Sequence, residues 1–183
     1  MMVELPRLPL ISLDTAEETN THEIARGHHT VIDFWTTRCT NCPDALDKLQ
    51  HLAATSSNVR FASICCDSLD GAREIIGRHD DMRWSSVHHY FMEHADKELC
   101  KQIFGFKKVP FYVVLNDRNE ITQYGNTINW DPIYLLMGLP VVPQADENAK
   151  PPTNVNVVST GTSDSKIPIE DTHDEFIIED LDF

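Results

Sequence analysis

Thr30 to Cys42 reads TVIDFWTTRCTNC, and the fold turns on this stretch. Thr30 to Trp35 is a short β-branched and aromatic run, the pattern of a buried strand. Pro43 to Ala54 follows, with Leu46, Leu49 and Leu52 at helical spacing and Pro43 tolerable only in the first turn. Cys39-Thr-Asn-Cys42 therefore falls where a strand hands over to a helix. Two cysteines at this spacing on a helix's first turn can close a disulfide with little backbone movement. The unsatisfied N–H groups and positive dipole end of the helix would stabilise a thiolate on Cys39. Arg38 adds a cation beside that sulfur. Cys42, one turn further in and more buried, suits the resolving role in a mixed disulfide. Asp33 sits inside the apolar strand between Ile32 and Phe34, where an unpaired carboxylate is costly. Buried there, it would have a raised pKa and accept the proton of Cys42 through water. Trp35 belongs to the core, with its N–H near the turn.

The rest of the first 142 residues alternates strands and helices. Val59 to Cys65 is a second strand, and Asp70 to His79 a helix with Ala72, Ile75 and Ile76 on one stripe. Val87 to Met92 is a further strand and Asp96 to Phe104 a further helix. Phe111 to Leu115, a turn at Asp117 to Asn119, and Glu120 to Tyr124 make an antiparallel hairpin. Asp131 to Met137 is a closing helix, with Asp131 as N-cap and Pro132 at the first position. The class is α/β, a central mixed sheet with helices on both faces. Cys65, Cys66 and Cys100 read as core residues. They offer no second C-x-x-C, so the four ligands of a tetrahedral zinc site are not evident. The nine histidines are read as noncatalytic.

The chain has 183 residues, 41% hydrophobic and 24% charged, enough apolar content to bury a core. No apolar run reaches the roughly 20 residues of a membrane helix, and the start lacks the basic n-region of a secretory signal. The formal charge of -14 argues against nucleic-acid partners. Cysteine usage favours a reducing, cytoplasmic setting over a disulfide framework. More than half of the net negative charge lies beyond residue 142. Residues 143–183 combine it with Pro143, Pro151, Pro152 and Pro168, a composition expected to stay disordered. Its end, Asp174 to Phe183, alternates acids with Phe176, Ile177, Ile178, Leu181 and Phe183. Residues 170–183 read either as a docking motif for a partner protein or as a solvating tail.

VIDFWTTRCTNC resembles the thioredoxin superfamily's sequence of strand, acidic residue, Phe-Trp, turn and C-x-x-C. Lys108-Val-Pro-Phe111 is similar to the Val-Pro step at which that family places a cis-proline facing the cysteine pair. Cis X–Pro bonds are a minority, about 5–6%, so the cis geometry at Val109-Pro110 is implied by the resemblance alone. The Tyr124-Gly125 step also fits, and the resemblance spans about residues 8 to 140. Arg38 departs from the usual Trp, and Thr40-Asn41 from the usual Gly-Pro. The distance from Cys42 to Pro110 leaves room for an extra helix–strand unit, as in the tryparedoxin, nucleoredoxin and TlpA/ResA branch. The resemblance implies thiol–disulfide exchange without metal or organic cofactor. Cys39 would attack, Cys42 resolve, Asp33 move the proton, and Trp35, Arg38, Val109 and Pro110 receive the substrate. By family geometry Lys107 and Lys108 would rim the site. The partners would be protein disulfides and a thiol reductant. The other reading is a thioredoxin-fold adaptor with little turnover that binds partners through its tail.

Overall fold

The computed structural model describes residues 5–77 and 83–141, all within one compact unit, Met1–Val141. The expectations placed on residues 143–183, both the disorder and the docking motif, lie outside the described residues, as does the expected helix end at His79.

Seven strands form one sheet in the order β2-β1-β5-β4-β3-β6-β7. The elements run β1 (Pro9–Ser12), β2 (Glu18–Asn20), α1 (Thr21–Ala25), β3 (His29–Trp35), α2 (Cys42–Thr55), β4 (Val59–Cys65), α3 (Leu69–Gly77), β5 (His88–Phe91), α4 (His94–Phe104), β6 (Phe111–Leu115), β7 (Ile121–Gly125) and α5 (Asp131–Leu136). The sheet is mixed: β3, β4 and β5 run parallel, while β6 and β1 pair antiparallel with β3 and β5. The expected strands and helices are therefore present. α3 and β5 fill the extra room between the cysteine pair and Pro110.

Three elements escaped the sequence reading. β1, β2 and α1 are short, and side-chain bonds hold them together. Asn20 caps α1 by accepting from the amides of His22 and Glu23. Thr21 accepts from the Leu8 amide at 3.0 Å and donates to the Pro6 carbonyl at 2.6 Å. The closing helix also begins one residue earlier than expected, at its expected cap. Trp130 occupies the N-cap and Asp131 the first position, because the side chain of Asn129 takes the Asp131 amide and starts the turn upstream.

Alternation along the central strands divides the core by face. Ile32, Phe34, Ala62, Ile64 and Val113 pack with Ile24, Cys100 and Phe104, so α1 and α4 cover one side. On the other side Val31, Phe61 and Val114 pack beneath Leu49 and Leu52 of α2 and Ile133 of α5. Further along that same face, Trp35, Cys65 and Phe91 pack with Cys42 and Leu46 of α2 and Ala72 of α3. Helices thus flank the sheet on both faces. The adjacent Cys65 and Cys66 separate, one to each side. Burial raises both thiols, Cys65 to about 12. Cys100 is also buried, at about 12.

Candidate active site

β3 ends at Trp35, and the chain turns before it enters α2. The Cys39 amide donates to the Thr36 carbonyl at 3.2 Å, closing a turn over residues 36–39. Cys42 is the first residue of α2 and Pro43 the second. This corrects the expectation that both cysteines lie in the first helical turn: Cys39 belongs to the turn ahead of the helix. The two sulfurs are joined in a disulfide, with the Cα atoms 5.4 Å apart. Cys39 is half-buried and Cys42 fully buried, so Cys39 is the more accessible of the two.

The segment entering β6 comes up against this pair. Val109-Pro110 is a cis peptide bond, and the Val109 carbonyl oxygen lies 3.7 Å from Cys39 Sγ. Val109 is half-buried and also packs against the apolar cluster that holds Trp35 and Cys42. Arg38, Lys107 and Lys108 are exposed, the first in the cysteine turn and the others leading to Pro110.

Asp33 is fully buried on the face of β3 that α2 covers, between Val31 and Trp35. Neither of its carboxyl oxygens has a hydrogen-bond partner among the described residues, and the same is true of Trp35 Nε1 and Thr36 Oγ1. Burial without a donor pushes the Asp33 carboxyl well above the ordinary carboxylate range. Its charge in turn adds to the burial that raises the Tyr112 phenol opposite it on β6.

Two residues with evident roles were missed in the sequence. Asp67, just after β4, accepts from the Thr37 amide at 3.0 Å, the Thr37 hydroxyl at 2.7 Å, the Ser68 amide at 3.0 Å and the Cys65 thiol at 3.1 Å. Partial burial acts to raise this carboxyl, but the Thr37, Cys65 and Ser68 donors outweigh it and hold it below its ordinary value. The cysteine turn is thereby tied to the end of β4. Gly71 of α3 packs so closely on that tie that a Cβ there would stand 3.0 Å from both Thr37 Cγ2 and Ser68 Oγ. The second is Asn126, whose amide donates to the Lys108 carbonyl at 2.9 Å and the Pro110 carbonyl at 2.7 Å, bracketing the cis bond. Gly125 allows that approach, because its φ of 152° is a conformation side chains disfavour. Neither residue lies in a recognisable motif; the Tyr124-Gly125 step adjoining Asn126 was the nearest signal.

No group of three or more His, Cys, Asp or Glu among the described residues could hold a metal ion. No helix among them is long and apolar enough to cross a membrane.

No protein-family model and no curated protein matches the chain. Solved structures do. The thioredoxin domain of a thiol–disulfide oxidoreductase from Bacteroides vulgatus is similar at a TM-score of 0.59 and 14% identity, over 74% of this chain and 94% of that one. A thiol:disulfide interchange protein from Bacteroides sp. is similar at a TM-score of 0.61 and 12% identity, over 75% and 90%. A copper-bound ScoI of Arabidopsis thaliana is similar at 0.55 and 14%, over 70% and 91%. The last is described with copper bound and the first two by thiol–disulfide chemistry, so the likeness carries the architecture and leaves the chemistry to the residues.

Proposed function

We propose that this thioredoxin-like fold performs thiol–disulfide exchange through Cys39 and Cys42. One observation carries the reading: a closed Cys39–Cys42 pair at a strand-to-helix turn, with the carbonyl of a cis Val109-Pro110 step 3.7 Å from the accessible sulfur.

In the reduced protein the Cys39 thiolate attacks one sulfur of a substrate disulfide. The other substrate sulfur leaves as a thiolate, and a mixed disulfide remains. Cys42 then gives its proton to the Asp33 carboxylate and attacks the Cys39 sulfur. The substrate's second sulfur departs, and Cys39–Cys42 is left oxidised, two electrons having passed to the substrate. An external thiol reductant restores the dithiol. The buried, donor-starved environment of Asp33 supports its part, because it strengthens the carboxylate as a base. The N-terminus of α2 beside the pair favours the Cys39 thiolate. Val109 and Pro110 would hold the substrate backbone beside Cys39, with Trp35 beneath the site. Arg38 at its rim favours anionic surroundings in the substrate. We place this activity in a reducing, cytoplasmic setting, a reading supported by the three buried free thiols.

The test is reduction of a generic protein disulfide with a small dithiol as electron source. Turnover is expected and should vanish in Cys39→Ser. The Cys42→Ser variant should accumulate mixed disulfides with its substrates. Binding of partners by the wild type without turnover would replace this reading with the adaptor.

A further inference from the structure

Hairpin register brings the end of β7 against the segment that enters β6. Gly125, the last residue of β7, pairs with Tyr112, the second of β6. Asn126 therefore stands beside the residues just ahead of β6. Its side chain bonds the Lys108 carbonyl at 2.9 Å and the Pro110 carbonyl at 2.7 Å, both from Nδ2. Carbonyl oxygens only accept, so the NH2 end of the amide must face them, and both of its hydrogens are committed.

Val109 lies between these two anchors. The Lys108–Val109 peptide is planar and trans, so a carbonyl held toward Asn126 points the Val109 N–H the opposite way. The next carbonyl along, that of Val109, is 3.7 Å from Cys39 Sγ. Neither the disulfide nor the thiolate form of that sulfur has a hydrogen to give it. Among the described residues no N–H or O–H donates to the Val109 carbonyl, and no oxygen takes the Val109 N–H. Val109 is thus fixed on both flanks while its own N–H and C=O stay open beside the more accessible cysteine. Open main-chain groups of this kind are what a strand edge offers to an extended segment. One residue of such a segment can exchange both bonds with Val109, as opposed residues of an antiparallel pair do. A small disulfide without amide groups cannot.

We propose that Asn126 is a positioning residue that holds Val109 ready to pair with the main chain of the substrate, and so sets a preference for disulfides carried on extended polypeptide over small ones. The proposal rests on the exchange reading above and adds the residue that governs its choice of substrate. Asn126 exchanges no proton and acts only through the backbone it holds. A clasp that merely stiffened the fold would change the reaction with both kinds of disulfide alike.

The experiment oxidises the reduced full chain with two disulfides that share one leaving group. The first is a linear peptide whose mid-chain cysteine is bonded to 2-mercaptoethanol. The second is bis(2-hydroxyethyl) disulfide, which has no amide. Stopped-flow measurement gives a second-order rate constant for each, and the readout is their ratio, in which any inactive fraction of protein cancels. The wild type should favour the peptide. In Asn126→Ala the ratio should fall about tenfold, the scale of losing one or two neutral hydrogen bonds. Asn126→Asp keeps the shape of the side chain, but its carboxylate has no hydrogen to give and turns oxygen toward two carbonyls. The ratio should fall there at least as far. A wild-type ratio near one, or a ratio that neither variant changes, overturns the proposal. Should Asn126→Ala not fold, Asn126→Asp decides alone. A flat ratio leaves exchange standing, whereas a reduced wild type that reacts with neither disulfide would remove the exchange reading and this one with it.

Discussion

Two acid–thiol pairs flank the same turn, and they have opposite properties. Asp33 and Cys42 lie on the buried side, the carboxyl without a partner and the sulfur bonded to Cys39. Asp67 and Cys65 lie at the end of the neighbouring strand, the carboxylate exposed and accepting from four donors, one of them the Cys65 thiol itself. Trp35 and Cys65 are register partners, so these regions are one residue row apart. Residue type does not separate them. What does is whether the carboxyl is buried and whether it has donors. Where the acid is buried and unpartnered, its carboxyl is held well above the ordinary range. Where the acid is solvated and saturated with donors, it is an anchor, and the thiol beside it is held protonated.

The sharpest way to break this contrast is alkylation of the reduced native protein. A thiol pushed to about 12, as Cys65 and Cys100 are, is nearly all protonated at neutral pH. Cys39 should therefore label on the order of a thousandfold faster or more, since the thiolate is the reactive form. Equal labelling of all five cysteines would erase the distinction. Next in size is Asp33→Asn. It should slow release of the mixed disulfide by about a hundredfold, the lower end of what a general base contributes, and leave its formation nearly unchanged. Stopped-flow separation of the two steps reads this, and equal slowing of both would leave Asp33 a structural residue.

The two carboxyls should also impose opposite pH dependences on stability. The folded state holds Asp33 above its unfolded pKa of about 4. Unfolding then releases a proton, and stability falls as pH rises from about 4 to the raised value, by at most about 1.4 kcal/mol per pH unit. Asp67 is held below its ordinary value, so its contribution is present above about pH 4 and is lost as pH falls through the depressed value. Urea unfolding across pH at a fixed redox state should show Asp33→Asn flattening the decline with rising pH and Asp67→Asn flattening the loss at acid pH. The smallest expected effect is the loss of stability in Asp67→Ala near neutral pH. Several charge-assisted bonds are lost, but at an exposed site, so about 1–2 kcal/mol is expected. A free energy unchanged in this variant would show that the clasp on Thr37 adds no stability.

Much of the frame was legible because burial writes itself into composition. TVIDFW, VRFASIC and FYVVL are apolar runs because each strand is covered on both faces. Cys39, Cys42, Asp33 and Pro110 stood out because their spacing and order resemble a known pattern. ETN and THEIA carried no such signal. They are too short for periodicity and are fixed by Thr21 bonding to residues 13 and 15 positions away. Asp67, Ser63, His89 and Asn126 were illegible for a related reason. Each is ordinary along the chain and acquires its role only from strand register or a turn, as when Ser63 meets His89 across 26 positions. Consecutive histidines at 88 and 89 did separate, one exposed and one buried, yet the buried ring's partner could not be read without the sheet.

Strand register aligns the buried Asp33, Ser63 and His89 in one polar row across the sheet, with a consequence for how the domain comes apart. Apolar side chains cohere by excluding water together, and a seam of Asp33, Ser63 and His89 interrupts that cohesion on the α2 side. The Cys39–Cys42 end and the α5 end of this face should therefore open as two cooperative units that share a sheet but not a continuous apolar layer. Opening one need not dissolve the other. Backbone amides around Trp84, β5 and the start of α2 should then exchange with deuterium through a sub-global opening that leaves β3's Val31 and β6's Val114 closed. Reduction of Cys39–Cys42 removes a covalent tie on the redox side alone, so it should deepen the gap in protection between the two units.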